Sequence, residues 1–139
     1  MGLANCTVSL RNPQYPDQEV FESEALADTG SVYLIIPEHV RLQLLLEFKD
    51  RKEVTLADGS KQIVPYVGPI ELKFKNRSAY VGAIVMGNEV HLGAIPMEDM
   101  DLVVFHQEPR VDINPLDPNF AAASAKATSP HSGWRMNDE

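Results

Sequence analysis

The segment with the clearest capacity for chemistry is Asp28-Thr29-Gly30, which follows the apolar stretch Ala25-Leu26-Ala27 and precedes Ser31. A carboxylate at the end of a buried strand loses hydration, so hydrogen bonds or charged partners must compensate. Glycine lets the backbone turn sharply and bring its amide to the carboxylate. The threonine hydroxyl can bond across to main chain. The same triplet also serves as an ordinary turn, so its meaning depends on the elements that position it. Other chemistries have less to work with. Cys6 is the only cysteine and the four histidines are scattered, which leaves neither an intramolecular disulfide nor a cysteine-rich zinc site. No metal and no cofactor are expected.

The elements around the triplet read mostly as short strands. Thr7-Val8-Ser9-Leu10 alternates polar and apolar, Asn12-Pro13-Gln14-Tyr15-Pro16-Asp17 is a turn, and Val20 to Ala27 resumes strand-like sequence. Asp58-Gly59 lies between Val54-Thr55-Leu56 and Gln62-Ile63-Val64, a strong hairpin signal because both turn residues tolerate positive φ. Ile70 to Lys75 alternates strictly, which predicts one buried and one solvated face. Asn76-Arg77 then turns the chain into Ala79 to Met86. Helix is scarcer. Pro37 fits the first position of a helix carrying Val40, Leu44 and Leu45, with Leu42 and Phe48 near that face, and Pro96 to Met100 suggests one turn more. Lys49 with Arg51-Lys52 reads as a solvated turn. The fold class is therefore mainly β, with one or two short helices.

At 139 residues the chain suits one domain. A boundary is predicted near residue 106. Residues 107–139 hold four of the ten prolines and the run Ala121 to Pro130, and read as a Pro/Ala/Ser-rich tail that includes Trp134. That tail has three basic and five acidic residues, so most of the net charge of −8 belongs to residues 1–106. The acidity disfavours a nonspecific hold on nucleic acid. No apolar run approaches the roughly 20 residues of a membrane helix. The N-terminus lacks a basic region followed by an apolar stretch, and position 6 is not the Ser or Thr of a myristoylation pattern. A cytoplasmic protein without a membrane or nucleic-acid partner is expected.

Taken in order, Glu24 to Ser31, then Thr55-Leu56-Ala57-Asp58-Gly59-Ser60, then Leu92-Gly93-Ala94 before Met97 to Val104, the sequence resembles the retroviral-like aspartic proteases, the single-domain relatives of pepsin. The likeness covers residues 7 to 105. It is nearest to the small prokaryotic group, whose members often begin with a strand and an Asn-Pro turn, as Leu10-Arg11-Asn12-Pro13 does. The sequence departs from that family's pattern at Ala27, at His91 where an apolar residue is usual, at the uncharged Val32 and Ala94, and at a hairpin tip with Asp58 and Lys61 in place of glycines.

The resemblance implies a closed six-stranded acid-protease barrel over residues 1–106, with Asp28, Thr29 and Gly30 at the base of a cleft and the hairpin near Asp58-Gly59 covering it. It also implies that Leu26, Ser31, Tyr33, Ile35, Ala57, Asp58, Gly59, Ser60, Glu89 and His91 contact an extended peptide, which would pair with the hairpin by strand addition. Peptide hydrolysis by this route needs two carboxylates that share one proton. The chain has one Asp-Thr-Gly, and Asp50, Asp58, Asp99, Asp101, Asp112 and Asp117 all lack a following Thr/Ser-Gly. A C2 homodimer that sets Asp28 against its own mate supplies the second. Thr29 would then bond across the axis and Ser31 would donate to the carboxylate. Phe105-His106 would either end a strand that joins the dimer sheet or mark where the tail is cut. Two other readings remain open: a noncatalytic dimeric module that binds a peptide or partner protein through the cleft, and a plain β-barrel interaction domain in which Asp28 satisfies a turn.

Overall fold

A computed structural model describes residues 3–126; Met1, Gly2 and residues 127–139, including Trp134, lie outside the described residues. Nine strands and two short helices follow one another as β1 (Leu3–Arg11), β2 (Phe21–Asp28), β3 (Leu34–Ile36), α1 (Glu38–Leu44), β4 (Phe48–Thr55), β5 (Lys61–Phe74), β6 (Arg77–Val85), β7 (Val90–Leu92), α2 (Ala94–Asp99), β8 (Leu102–Phe105) and β9 (Arg110–Ile113). The sheet order is β1-β2-β7-β3-β6-β5-β4, and β1 pairs again with β5. That second pairing closes six strands into a barrel and leaves β4 outside it as the outer arm of a hairpin. Closure removes the free edges a six-stranded sheet would otherwise present.

The interior is filled by the apolar half of each alternation. Leu10, Leu34, Ile36, Ile70, Leu72, Leu92 and Met100 have no exposed surface, and Val40, Leu44 and Leu46 bring α1 onto the same core. The helix differs in detail from the sequence expectation. Pro37 is its N-cap and not its first turn. Leu42 is exposed opposite the buried Val40–Leu44 face, Leu45 is exposed as the C-cap in a left-handed conformation at φ 57°, and Phe48 is exposed at the start of β4. The Asn12-Pro13 turn closes this end. Asn12, itself buried, donates from Nδ2 to the carbonyls of Leu44 at 3.0 Å and Leu45 at 3.1 Å, two acceptors the helix terminus leaves free. Among the described residues no helix is long and apolar enough to cross a membrane.

Four polar positions depart from the sequence reading, and at Arg77 and Glu71 the cause is a partner far away in the chain. Arg77 does not sit in the turn but opens β6, buried, and its guanidinium donates to the Asp117 carbonyl. Arg51 and Lys52 lie within β4 and not in a turn, with Arg51 over the Phe48 ring. Glu71, placed by alternation on the solvated face, is only 5% exposed. The barrel-closing register sets Glu71 opposite Arg11, whose Nε donates to Glu71 Oε1 at 2.9 Å.

The Arg11 guanidinium holds the Glu71 carboxyl below its ordinary value of 4.5. A carboxyl lowered in the folded state adds stability that is present above pH 4.5 and fades as the pH falls through the lowered value. Glu71→Gln is therefore expected to lose about 3 kcal/mol at neutral pH. Urea denaturation at several pH values should show the gap between variant and wild type narrowing in acid. A gap that stays constant with pH would remove the ion pair as its cause.

The boundary expected near residue 106 falls in the turn of a hairpin. Phe105 ends β8, which pairs with β9 of the same chain from Leu102↔Ile113 to Phe105↔Arg110, and Val111 is buried in the common core. Polar contacts hold the chain beyond β9, through residues 114–122. Asn114 and the Ala122 amide bond the Asp101 carboxylate at 3.1 Å each, Asn76 donates to the Pro118 carbonyl, and Lys75 pairs with Asp112 at 2.8 Å. A proline-rich composition hid this strap because its hold is polar and long-range rather than periodic.

Candidate functional site

Asp28 is the last residue of β2, the point at which the strand leaves its parallel pairing with β7. Ala25 and Ala27 face the core, so Leu26 and Asp28, two residues apart, share the opposite face and are half-buried. The Gly30 amide donates to Asp28 Oδ1 at 2.9 Å and the Ser31 amide to the Asp28 carbonyl at 3.0 Å. The glycine amide therefore approaches the carboxylate as its residue type suggested. A Cβ at Gly30 would come 3.1 Å from Asp28 Oδ1 and press the carboxylate a few tenths of an ångström aside. The described contact from Ser31 to Asp28 is thus from its backbone to the carbonyl, where a side-chain bond to the carboxylate was expected. Thr29 is exposed beside a cavity of about 390 Å³ whose other walls include Ala94, Met97, Leu102, Val103 and Val104.

The segment after Asp28 is stitched to the Leu92-Gly93-Ala94 segment. Ala94 donates to the Ser31 carbonyl at 2.8 Å, Ile95 to Val32 at 2.9 Å and Gly93 to Tyr33 at 3.2 Å. The two motifs, far apart in sequence and weak singly, form one bracket. Gly93 is required by space: a Cβ there would lie 2.5 Å from the Tyr33 carbonyl oxygen and 2.8 Å from that of Ser31.

The strand register gathers the rest of the expected cleft floor. His91 pairs with Leu26 of β2 on one side and Ile35 of β3 on the other. Their sequence neighbours Val90, Leu92, Leu34 and Ile36 are all buried, so Leu26, His91 and Ile35 form one half-buried row on the face that carries Asp28. Glu89 is exposed, its carboxylate 3.9 Å from His91 Nε2. Leu26 and Glu89 also border a recess of about 240 Å³ toward Pro37 and Val40.

Tyr33 turns toward the hairpin. Its ring meets Tyr66 of β5 edge-on with centroids 5.8 Å apart, and Lys52 Nζ lies 4.7 Å from the Tyr66 centroid and 5.6 Å from that of Tyr33. The base of the hairpin therefore packs against the bracket by aromatic and cation–π contact. Lys52 and Tyr66 were not among the expected site residues. Counting back along the hairpin from Asp58-Gly59 sets Lys52 opposite Val64 and Asp50 opposite Tyr66, and that register was the available signal.

Ala57, Asp58, Gly59 and Ser60 form the exposed hairpin tip. Gly59 alone adopts positive φ, at 88°. Ser60 donates from Oγ at 2.6 Å and from its amide at 2.9 Å to Asp58 Oδ1, and these bonds hold the Asp58 carboxyl below the usual aspartate range. These bonds brace the tip on itself; none of the hydrogen bonds among the described residues ties it to Asp28.

One further carboxylate pair lies on the C-terminal strap. A hydrogen bond between Asp101 and Asp117 pushes the Asp117 carboxyl up, whereas the Ala122 amide and Asn114 hold Asp101 down. Arg77, Asn114 and Ala122 give this pair a role in fastening the strap. Among the described residues no group of three or more His, Cys, Asp or Glu side chains could hold a metal ion. No protein-family profile matches the chain, and no curated protein matches it.

Proposed function

We propose that the chain is an aspartic endopeptidase of the retropepsin type, with a retropepsin-like barrel, acting as a C2 homodimer on an extended peptide. The observation that carries this reading is the bracket. Three backbone hydrogen bonds lock the Asp28 turn to Gly93-Ala94-Ile95 and leave a half-buried carboxylate at a strand end beside the Leu26–His91–Ile35 row. In the dimer two such carboxylates share one proton: the ionised one takes a proton from water as it attacks the scissile carbonyl, and the protonated one gives its proton to the carbonyl oxygen. The Gly30 amide orients each carboxylate.

Apolar surface around Asp28 favours a second copy as the neighbour. Leu3, opposite Asp28 in the β1–β2 register, is 48% exposed, and the backbone-bonded pair Val32 and Ile95 are 54% and 43% exposed. Exposed apolar side chains flanking one carboxylate turn mark an interaction surface. A two-fold axis there would bury them against their own copies.

Ile95→Glu would then set two like charges against each other in an apolar contact. The variant is expected to sediment as a folded monomer and to lose more than tenfold in cleavage of denatured protein substrates, roughly what 1.4 kcal/mol represents. Wild-type specific activity should also fall on dilution as dimers dissociate. Full activity from a monomeric Ile95→Glu protein would overturn the proposal.

A further inference from the structure

Resting on that reading of the cleft, we infer that His91 selects the substrate: the side chain seated on the Leu26–His91–Ile35 row is a carboxamide or carboxylate on an aliphatic stem, glutamine first, and not a purely apolar one. The row is built from two aliphatic walls with an imidazole between them. Adjacent strands stand about 4.8 Å apart, so one extended side chain spans the row, and the spacing of about 3.3 Å per residue along β2 sets it next to Asp28.

The imidazole has capacity to spare. The Glu89 carboxylate is 3.9 Å from His91 Nε2, too far for a direct hydrogen bond. The side chain is half-buried at 28% exposure, so part of the imidazole stays open on the face that carries Asp28. A neutral imidazole carries one donor and one acceptor, and a carboxamide carries both as well, so the two match in either tautomer. The methylenes of glutamine would lie along Leu26 and Ile35. Leucine or phenylalanine on the same row would strip water from the imidazole and return no hydrogen bond. That asymmetry is worth about tenfold in kcat/KM.

Digestion of a peptide library prepared from denatured cellular protein tests this, with cut sites read by mass spectrometry for wild type, Asp28→Asn, His91→Leu and His91→Gln. Wild type is expected to enrich glutamine, then glutamate, at one position beside the cut. His91→Leu keeps the volume of the row and should move that preference to leucine and phenylalanine, while His91→Gln should keep the polar preference. Thermal denaturation of each variant establishes that it is folded. An unchanged profile from folded His91→Leu, with cleavage still dependent on Asp28, overturns the inference and leaves the protease reading standing. Wild-type cleavage no greater than that of Asp28→Asn overturns both.

Discussion

Asp28→Asn is expected to lower cleavage by about 10³-fold or more, while the protein stays folded and dimeric. The substitution is isosteric, and the asparagine carbonyl oxygen can still accept the Gly30 amide bond that now reaches Asp28 Oδ1 at 2.9 Å. What disappears is the proton site. An amide neither takes a proton from water nor gives one to a carbonyl oxygen, and in the proposed homodimer both carboxylates would be lost together. Matched rates of cleavage by the two purified proteins would assign the activity elsewhere. A large drop with unchanged sedimentation and denaturation would separate chemistry from architecture. Should wild type bind peptides without cutting them, and Asp28→Asn bind equally well, the noncatalytic dimeric module becomes the better account.

Gly93→Ala carries the second large effect, and it acts on the fold. The added methyl carbon would sit 2.5 Å from the Tyr33 carbonyl oxygen, 2.6 Å from the Val32 carbonyl carbon and 2.8 Å from the Ser31 carbonyl oxygen. All three are backbone atoms of the segment that Gly93, Ala94 and Ile95 hold by hydrogen bonds, so no flexible side chain can yield. Relief requires the bracket to open. The expected loss is about 3 kcal/mol or more, with cleavage falling further than the folded fraction because the Asp28 turn is displaced. Gly87→Ala is the control. Gly87 has a positive φ of 71° but nothing within 4 Å of an added Cβ, so only conformational strain of about 1 kcal/mol is expected. Urea denaturation of both variants checks the contrast. Equal losses would show that crowding at the bracket is not what demands glycine.

Much of the local architecture was legible because its causes are local. The hairpin around Asp58-Gly59 appears with Val54↔Gln62 paired as the residue types implied, the alternation of Thr7 to Leu10 falls in β1, and the segment from Ala79 lies in β6 as far as Val85. The Asp28 turn belongs here too, since a carboxylate and an amide two residues apart need only a short chain to meet. Alternation failed where burial was set by a partner rather than by hydropathy. Glu71 is buried because Arg11 lies opposite it; the charge run misled in the same way at Lys52, which is half-buried over Tyr66 and Tyr33. Composition failed at the C-terminal side, where Val111 and the Asp101–Asn114 contact hold a segment whose prolines suggested a tail.

The sequence by itself determined a mainly β chain, the glycine-turned Asp28 and the Asp58-Gly59 hairpin, because strand periodicity and turn chemistry act over a few residues. Tertiary structure alone decided that β1 returns to β5 and closes the barrel, and that Gly93-Ala94-Ile95 locks the segment after Asp28. It also decided that His91 stands between Leu26 and Ile35. Each of these is a meeting of segments tens of residues apart, held by backbone hydrogen bonds that any residue type but proline can donate. Side-chain patterns therefore carry almost no trace of them before the chain folds.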